Sequence, residues 1–334
     1  MKITRPGLFS VVVLICCQLS VRSQGFRIDS GIADQEGAYF NRWDAVQNRL
    51  IMYRDIKSSG AAAAKIFKND GSSISIYPLA DLPGTWSIST WAVAATPDGG
   101  IVIAVIPVYS APAVQPPKVK SLLLTYDGTG KLTKVWDVDP YYFRRVAVDR
   151  VGNVFAFGDS NLDEPYPLVI KYSPSGSIEK EFLSSADAPG GELAVSSGSL
   201  SGEPDMFIKG DQLLVWLPHS EDLFRFSLAG DLISKTSLVG ALSGLAAATD
   251  SEHTTIKSLT QGEHGEIFAQ LQLWPKDKNR PVPTVMIAVP PDGSKATTAA
   301  SPPILGFFLG RTDQGKMIFY EPQPAWKGGT VSEY

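Results

Sequence analysis

The stretch "VAVDRVGNVFAFGD" (146–159) consists of two apolar runs around a short polar break ending in Gly-Asn, and "LVIKYSPSGSIEKEF" (168–182) repeats that plan a few residues later. Short apolar runs separated by Gly, Asn, Asp, Ser and Pro read as antiparallel strands joined by tight turns. Two hairpins in succession make a four-stranded unit. The first hairpin recurs at "RWDAVQNRLIMYRD" (42–55), "WAVAATPDGGIVIAVI" (91–106), "MFIKGDQLLVWL" (206–217), "KSLTQGEHGEIFAQLQL" (257–273) and "GFFLGRTDQGKMIFYE" (306–321). Its turns, marked by Asn48, Gly99, Gly152, Gly210, Gly265 and Gly315, are spaced by 51, 53, 58, 55 and 50 residues.

The second hairpin fills the gaps, at 64–77, 121–136, 168–182, 223–237 and 284–299. A unit of about fifty residues with four short strands is a propeller blade, and six of them nearly exhaust the chain. Runs such as "LIMY", "IVIAVI" and "LLVWL" are apolar on both faces, as expected of middle strands buried between stacked blades. A β-sandwich would alternate more cleanly and lack the period. Only "LVGALSGLAAATD" (238–250) suits a short helix, in a connector. The sixth unit ends at "TVSEY" (330–334), one strand short, and "QGFRIDSG" (24–31) is the segment able to supply its outer strand. The prediction is an all-β, six-bladed propeller of four-stranded antiparallel blades, closed by joining both ends of the chain in one blade; an unpaired edge would otherwise remain.

The chain opens "MKITRPGLFSVVVLICCQLSVRSQ": basic Lys2 and Arg5, an apolar run from Leu8 to Cys17, and small residues before Gln24. Residues 1–23 thus read as a secretory signal peptide, with 24–334 the single propeller domain. Cys17 stands where a lipid-attachment cysteine would, but Leu14, Ile15 and Cys16 precede it in place of the usual small residues, so a lipid anchor is the lesser alternative. Cys16 and Cys17 are the only cysteines, so a mature chain would have neither disulfide nor cysteine nucleophile. Removing residues 1–23 takes away Lys2, Arg5 and Arg22, leaving 27 basic against 34 acidic residues, a balance of −7. Nucleic acid needs clustered positive charge and is not an expected partner. No other apolar run approaches the ~18 residues of a membrane span. The expected location is outside the cytoplasm, periplasmic or extracellular.

The pairing of "VAVDRVGNVFAFGD" with "VIKYSPSGSIEKEF" resembles the NHL-type and TolB-like six-bladed propellers, whose repeats run strand, Asp, Gly-Asn turn, strand, then a strand ending before a tight turn. Residues 146–182 match well, while the other units keep the rhythm and lose the letters. The resemblance implies the fold more firmly than the family.

In a blade, the turns joining the first two and the last two strands lie on one face of the ring, and here they are uniformly short. The remaining loops lie on the other face and are long: 107–119, 159–167, 274–284, 321–329 and the connector 137–145. Loops on a rigid scaffold are where binding usually resides. That face carries Trp86, Tyr109, Tyr141, Tyr142, Arg144, Arg145, Tyr166, Trp274 and Trp326, residue types that anchor protein or carbohydrate contacts. The function expected is non-enzymatic binding of a protein or carbohydrate at the cell envelope, without a cofactor.

The alternative is enzymatic. Gluconolactonase- and regucalcin-like propellers hold a divalent cation in the channel, and their first repeat begins with Glu-Gly before an aromatic-Asp turn. This chain has Glu36, Gly37, Trp43 and Asp44, at a longer spacing and without a Ser-Asn-Gly stretch for further ligands. Glu36 is thus a weak candidate for Ca²⁺, which wants several oxygen ligands. His219 has Glu221 and Asp222 beside it, while His253 and His264 stand apart. No Gly-x-Ser-x-Gly elbow occurs, and "DGTGKL" (127–132) lacks the Ser or Thr a phosphate loop needs after its lysine.

Overall fold

A computed structural model describes residues 25–29, 40–44, 49–57, 60–68, 72–109, 120–187, 203–299, 306–312, 314–322 and 328–334. The strands form six four-stranded antiparallel sheets. Blade 1 comprises β2 (Phe40–Asp44), β3 (Arg49–Tyr53), β4 (Ala64–Phe67) and β5 (Ser73–Ile76); blade 2 comprises β6 (Thr85–Ala95), β7 (Ile101–Tyr109), β8 (Leu122–Tyr126) and β9 (Leu132–Asp137). Blade 3 contains β10 (Tyr141–Val148), β11 (Val154–Ser160), β12 (Pro167–Tyr172) and β13 (Ile178–Ser184). Blade 4 contains β14 (Asp205–Lys209), β15 (Gln212–Leu217), β16 (Asp222–Ser227) and β17 (Leu232–Ser237). Blade 5 is β18 (Ser251–Gln261), β19 (Ile267–Pro275), β20 (Thr284–Val289) and β21 (Thr297–Thr298). In blade 6, β22 (Phe307–Arg311), β23 (Met317–Pro322) and β24 (Gly328–Glu333) are completed by β1 (Gly25–Asp29), which pairs antiparallel with β24 from Gly25↔Ser332 to Asp29↔Gly328. The ring closes as expected, with the N-terminal strand outermost. The first strand of each blade touches the first strands of its neighbours, so β2, β6, β10, β14, β18 and β22 surround the axis.

The double-sided apolar character of the middle strands has a simple origin. In β3, Ile51 and Tyr53 pack with Ile101 and Ile103 of blade 2, while Leu50 and Met52 pack with Ile318 and Tyr320 of blade 6. In β11, Phe155 and Phe157 face Leu213 and Val215 of blade 4, while Val154 and Ala156 face Val102 and Ala104 of blade 2. The period-2 alternation of strand side chains sends successive residues into different inter-blade cores.

The polar break of the opening stretch is a side-chain-locked turn. Asp149 Oδ1 accepts from the amides of Val151 (3.0 Å) and Asn153 (2.8 Å), and Asn153 Nδ2 donates to Asp149 Oδ2 at 2.7 Å. Gly152 supplies the positive φ, +90°, that the turn demands. Asp149 is 5% exposed, so Asp149→Ala strips buried donors of their acceptor and is expected to cost about 2 kcal/mol. A urea midpoint that barely moves would show that Gly152 alone sustains the turn.

The expected connector helix is present as α2 (Val239–Ala248), whose Ala241 and Leu242 pack against Trp216 and Ile256. A second helix, α1 (Pro78–Asp81), was not anticipated, because a single turn is too short to leave a period in the sequence. Among the described residues no helix is long and apolar enough to cross a membrane.

Candidate functional site

Of the residues expected on the long-loop face, only Tyr166 lies in a loop among those described; Trp326, like Glu36 and Cys17, falls outside the described residues. Trp86 is in β6, Tyr109 ends β7, Trp274 is in β19, and Tyr141, Tyr142, Arg144 and Arg145 all belong to β10. The connector 137–145 is therefore shorter than the sequence suggested. Inner strands extend toward the long-loop face because β-bulges absorb an extra residue while the ladder continues beyond it. In β6 the register shifts between Thr85 and Ser87 and again between Thr90 and Ala92, in β10 between Phe143 and Arg145, and in β18 between Ile256 and Ser258. Trp86, Trp91, Arg144 and Lys257, like Glu252 at a second shift of β18 between Ser251 and His253, are the residues left over, and bulges re-aim such side chains.

Trp86 is 60% exposed, and its neighbour Thr85 pairs with Tyr109. Trp274 is folded back onto blade 5, stacked on His253 at 5.5 Å with its indole N–H donating to Thr255 Oγ1 at 3.0 Å. Blade 5 stands opposite blade 2, so Trp274 and Trp86 form no common patch. Tyr141 lies along its own blade, stacked on Phe143 and donating to Glu181 at 3.3 Å. Of the other candidates of blade 3, Arg144 and Tyr166 do converge, on Asp159. Arg144 Nη2 is 3.2 Å from Asp159 Oδ2, Tyr166 donates to Asp159 Oδ1 at 3.2 Å, and Asn161 Nδ2 donates to the Tyr142 hydroxyl at 2.6 Å. Burial and the Asp159 carboxylate push the Tyr166 phenol up to about 12. The Arg144 guanidinium also lies 4.8 Å from the ring centre of Trp91, a cation–π contact between blades 2 and 3. The Trp91 N–H donates to Ser89 Oγ (3.1 Å), which donates to Asp55 Oδ1 (3.0 Å).

Arg145 points elsewhere. Its Nη2 is 2.8 Å from Glu203 Oε2 and its Nε 3.6 Å from Asp205 Oδ1. Asp205 Oδ1 is also held by Arg42 Nη1 at 2.7 Å, and Arg42 Nη2 donates to the Met206 carbonyl. Arg42 is on the inner strand of blade 1 and Asp205 on that of blade 4, on opposite sides of the ring, so this pair crosses the axial channel. The side chains of Arg42, Arg145 and Asp205 are 22%, 17% and 19% exposed. Tyr53 is beside them: burial raises its phenol above the ordinary value, and Arg145 and Arg42 partly offset that. Burial alone would lower the Arg145 pKa, yet Tyr53, Asp205 and Glu203 hold it above the ordinary value. The network escaped the sequence reading because Arg42 and Asp205 are 163 residues apart in chain and share no motif.

The described channel residues do not fit a divalent cation. Asp205 is shared by two guanidinium groups and Glu203 is paired with one. A divalent cation about 4 Å from each arginine would be repelled by about 8 kcal/mol per pair at the effective dielectric near a protein surface, twice the value for two unit charges. Among the described residues no group of three or more His, Cys, Asp or Glu is placed to hold a metal ion. His219 is exposed, while its neighbour Asp222 is buried and paired with Lys235 at 2.8 Å.

No family profile matches the chain, and no curated protein sequence does. Among solved structures, a candidate exported protein from Bacteroides fragilis aligns with a TM-score of 0.52 at 8% identity, over 93% of this chain and 94% of its own. A gluconolactonase from Xanthomonas campestris gives 0.47 at 11% identity, over 90% and 88%. A Bacteroides thetaiotaomicron protein of unknown function gives 0.45 at 9%, over 92% and 75%. At such identities the likeness concerns the fold alone.

Proposed function

We propose that this is an exported, non-enzymatic binding propeller, a divergent one of NHL or TolB-like kind, that engages a protein or carbohydrate of the cell envelope through its long-loop face. Export rests on the leader-like residues 1–23. The observation that carries the binding reading over a cation-dependent lactonase is the Arg42–Asp205–Arg145 network, which places two positive charges where a channel cation would need free carboxylates. Trp86, exposed on a bulged strand end, is the anchor available to a partner.

The test uses residues 24–334. Melting in EDTA and then in millimolar Ca²⁺ is expected to give the same temperature. A ligand at a hundred times its dissociation constant adds about 2.7 kcal/mol, so a rise of several degrees would overturn this reading in favour of the lactonase. In parallel, arrays of purified envelope glycans and proteins are probed with wild type and Trp86→Ala. Loss of binding in the variant supports the long-loop face, and binding that ignores the substitution places the contact elsewhere.

A further inference from the structure

The outer hairpins of blades 3 and 4 are built alike, with one difference. The ladder of blade 3 shifts between Lys171 and Tyr172 and leaves out Glu179; that of blade 4 shifts between Arg225 and Phe226 and leaves out Ile233. Lys171 and Arg225 thus hold equivalent places, and so do Glu179 and Ile233. In blade 3 the two form an ion pair, with Lys171 Nζ 2.7 Å from Glu179 Oε2. In blade 4 the acid is missing. Arg225 is 6% exposed and has no ion-pair partner among the described residues. Its Nη1 donates to Thr236 Oγ1 at 2.8 Å and Ser234 Oγ at 3.5 Å, and its Nη2 to the Gly265 carbonyl at 3.3 Å. A guanidinium has five N–H donors, so the Nε–H and one Nη2–H are left without an acceptor among the described residues. Burial lowers its pKa with no carboxylate to oppose the shift. Buried charges are ordinarily paired.

The strand beside Arg225 is also an unprotected edge. β17 is outermost in its sheet, and its Leu232 and Ile233 are 58% and 53% exposed. The matching strand β13 carries Glu179, Lys180 and Glu181, the kind of charge that keeps other strands off an edge. In β17 the one charged residue is Lys235, and it is bound to Asp222 at 2.8 Å. Half-buried Ser234 links the guanidinium to the surface. We infer that the outer edge of blade 4 binds an extended peptide of a protein partner, added beside β17, with an apolar residue over Leu232 and Ile233 and an Asp or Glu reaching Arg225 past Ser234. Charge complementarity identifies the occupant, because the partner supplies the carboxylate that blade 3 draws from its own Glu179. Main-chain hydrogen bonds give an added strand its affinity, and the side-chain contacts give it specificity. A second copy of β17 would fit poorly, since that strand has no acid to offer. This edge lies on the outer wall of the ring, apart from the long-loop face, and the inference does not rest on the function proposed above.

The test is selection of displayed random heptapeptides on residues 24–334, with affinities of the enriched peptides measured by calorimetry. These peptides are expected to carry Asp or Glu beside apolar residues and to weaken by about tenfold or more when that acid becomes its amide. Trp86→Ala should leave their binding unchanged. Ile233→Glu gives blade 4 the acid that blade 3 has. It should raise the urea midpoint above that of Ile233→Gln and abolish peptide binding, which Ile233→Gln retains in weakened form. Failure to enrich, peptides without an acid, dependence on Trp86, or equal binding to the Glu and Gln variants each overturns the inference. A Glu variant no more stable than the Gln variant overturns it too, because Arg225 then gains nothing from a carboxylate. Dimerisation of the wild type that is lost in Ile233→Glu would assign the edge to a second copy and overturn the peptide. The function proposed above stands or falls with Trp86→Ala, and this inference with Ile233→Glu.

Discussion

Asp205→Ala is expected to lower the unfolding free energy by about 3 kcal/mol, the low end of the cost of breaking a buried charge pair. The substitution leaves Arg42 and Arg145 facing one another across the channel without the carboxylate they share, and both side chains are largely buried. The low end applies because about a fifth of each side chain still meets water. Urea denaturation of wild type and variant measures the loss. A change under ~1 kcal/mol would mean the pair is screened like a surface salt bridge. Replacing Arg42, Arg145 and Asp205 together by apolar residues of similar size should recover most of the loss, since the one charge left without its partner, Glu203, is largely exposed to water. A triple variant as unstable as Asp205→Ala would show that the ion pairs themselves hold the blades together.

Gly158→Ala should be nearly as damaging, for a steric reason. A Cβ at Gly158 would lie 2.0 Å from the Tyr142 carbonyl oxygen and 2.7 Å from Phe143 Cα, both backbone atoms that cannot turn aside. Gly158 pairs with Phe143, the residue before the Arg144 bulge, so the clash falls where β10 bends. Glycine inside a strand marks such a close approach. Overpacking of this kind typically costs 1–3 kcal/mol, and with backbone on both sides of the contact about 3 is expected. The bulge would also shift, carrying Arg144 away from Trp91 and Asp159. Denaturation reads the first effect. The second should appear as a change in Trp91 fluorescence, measured against Trp91→Phe as blank. A fully stable Gly158→Ala with unchanged fluorescence would mean that the strands can separate at no cost and that the bulge does not depend on this glycine.

The repeat was legible because turns are chemically explicit. "DRVGN" states its own geometry, with Asp149 as acceptor for the turn amides and Gly152 for the positive φ. The closing strand could be anticipated by elimination, since an unfinished blade and a spare strand were left at opposite ends of the chain. The binding face was read less well. Tyr141, Tyr142, Arg144 and Arg145 looked like connector residues because "DVDPYYFRR" begins with a turn signal, and nothing in those letters marks a bulge three residues on. Bulges depend on the length mismatch between paired strands, which one strand alone does not reveal.

The sequence by itself therefore determined the number of blades, their four-stranded hairpin plan, the tight-turn face and the partner strand that closes the ring. These follow from local rules, namely turn chemistry, apolar runs and a period near fifty residues. Only the tertiary structure decided what occupies the axis. Arg42, Arg145 and Asp205 come from blades 1, 3 and 4. Their meeting is set by the ring's curvature, which brings the inner strands of these blades around one axis. A circular arrangement turns residues far apart in sequence into neighbours across a channel, and no local pattern encodes that distance.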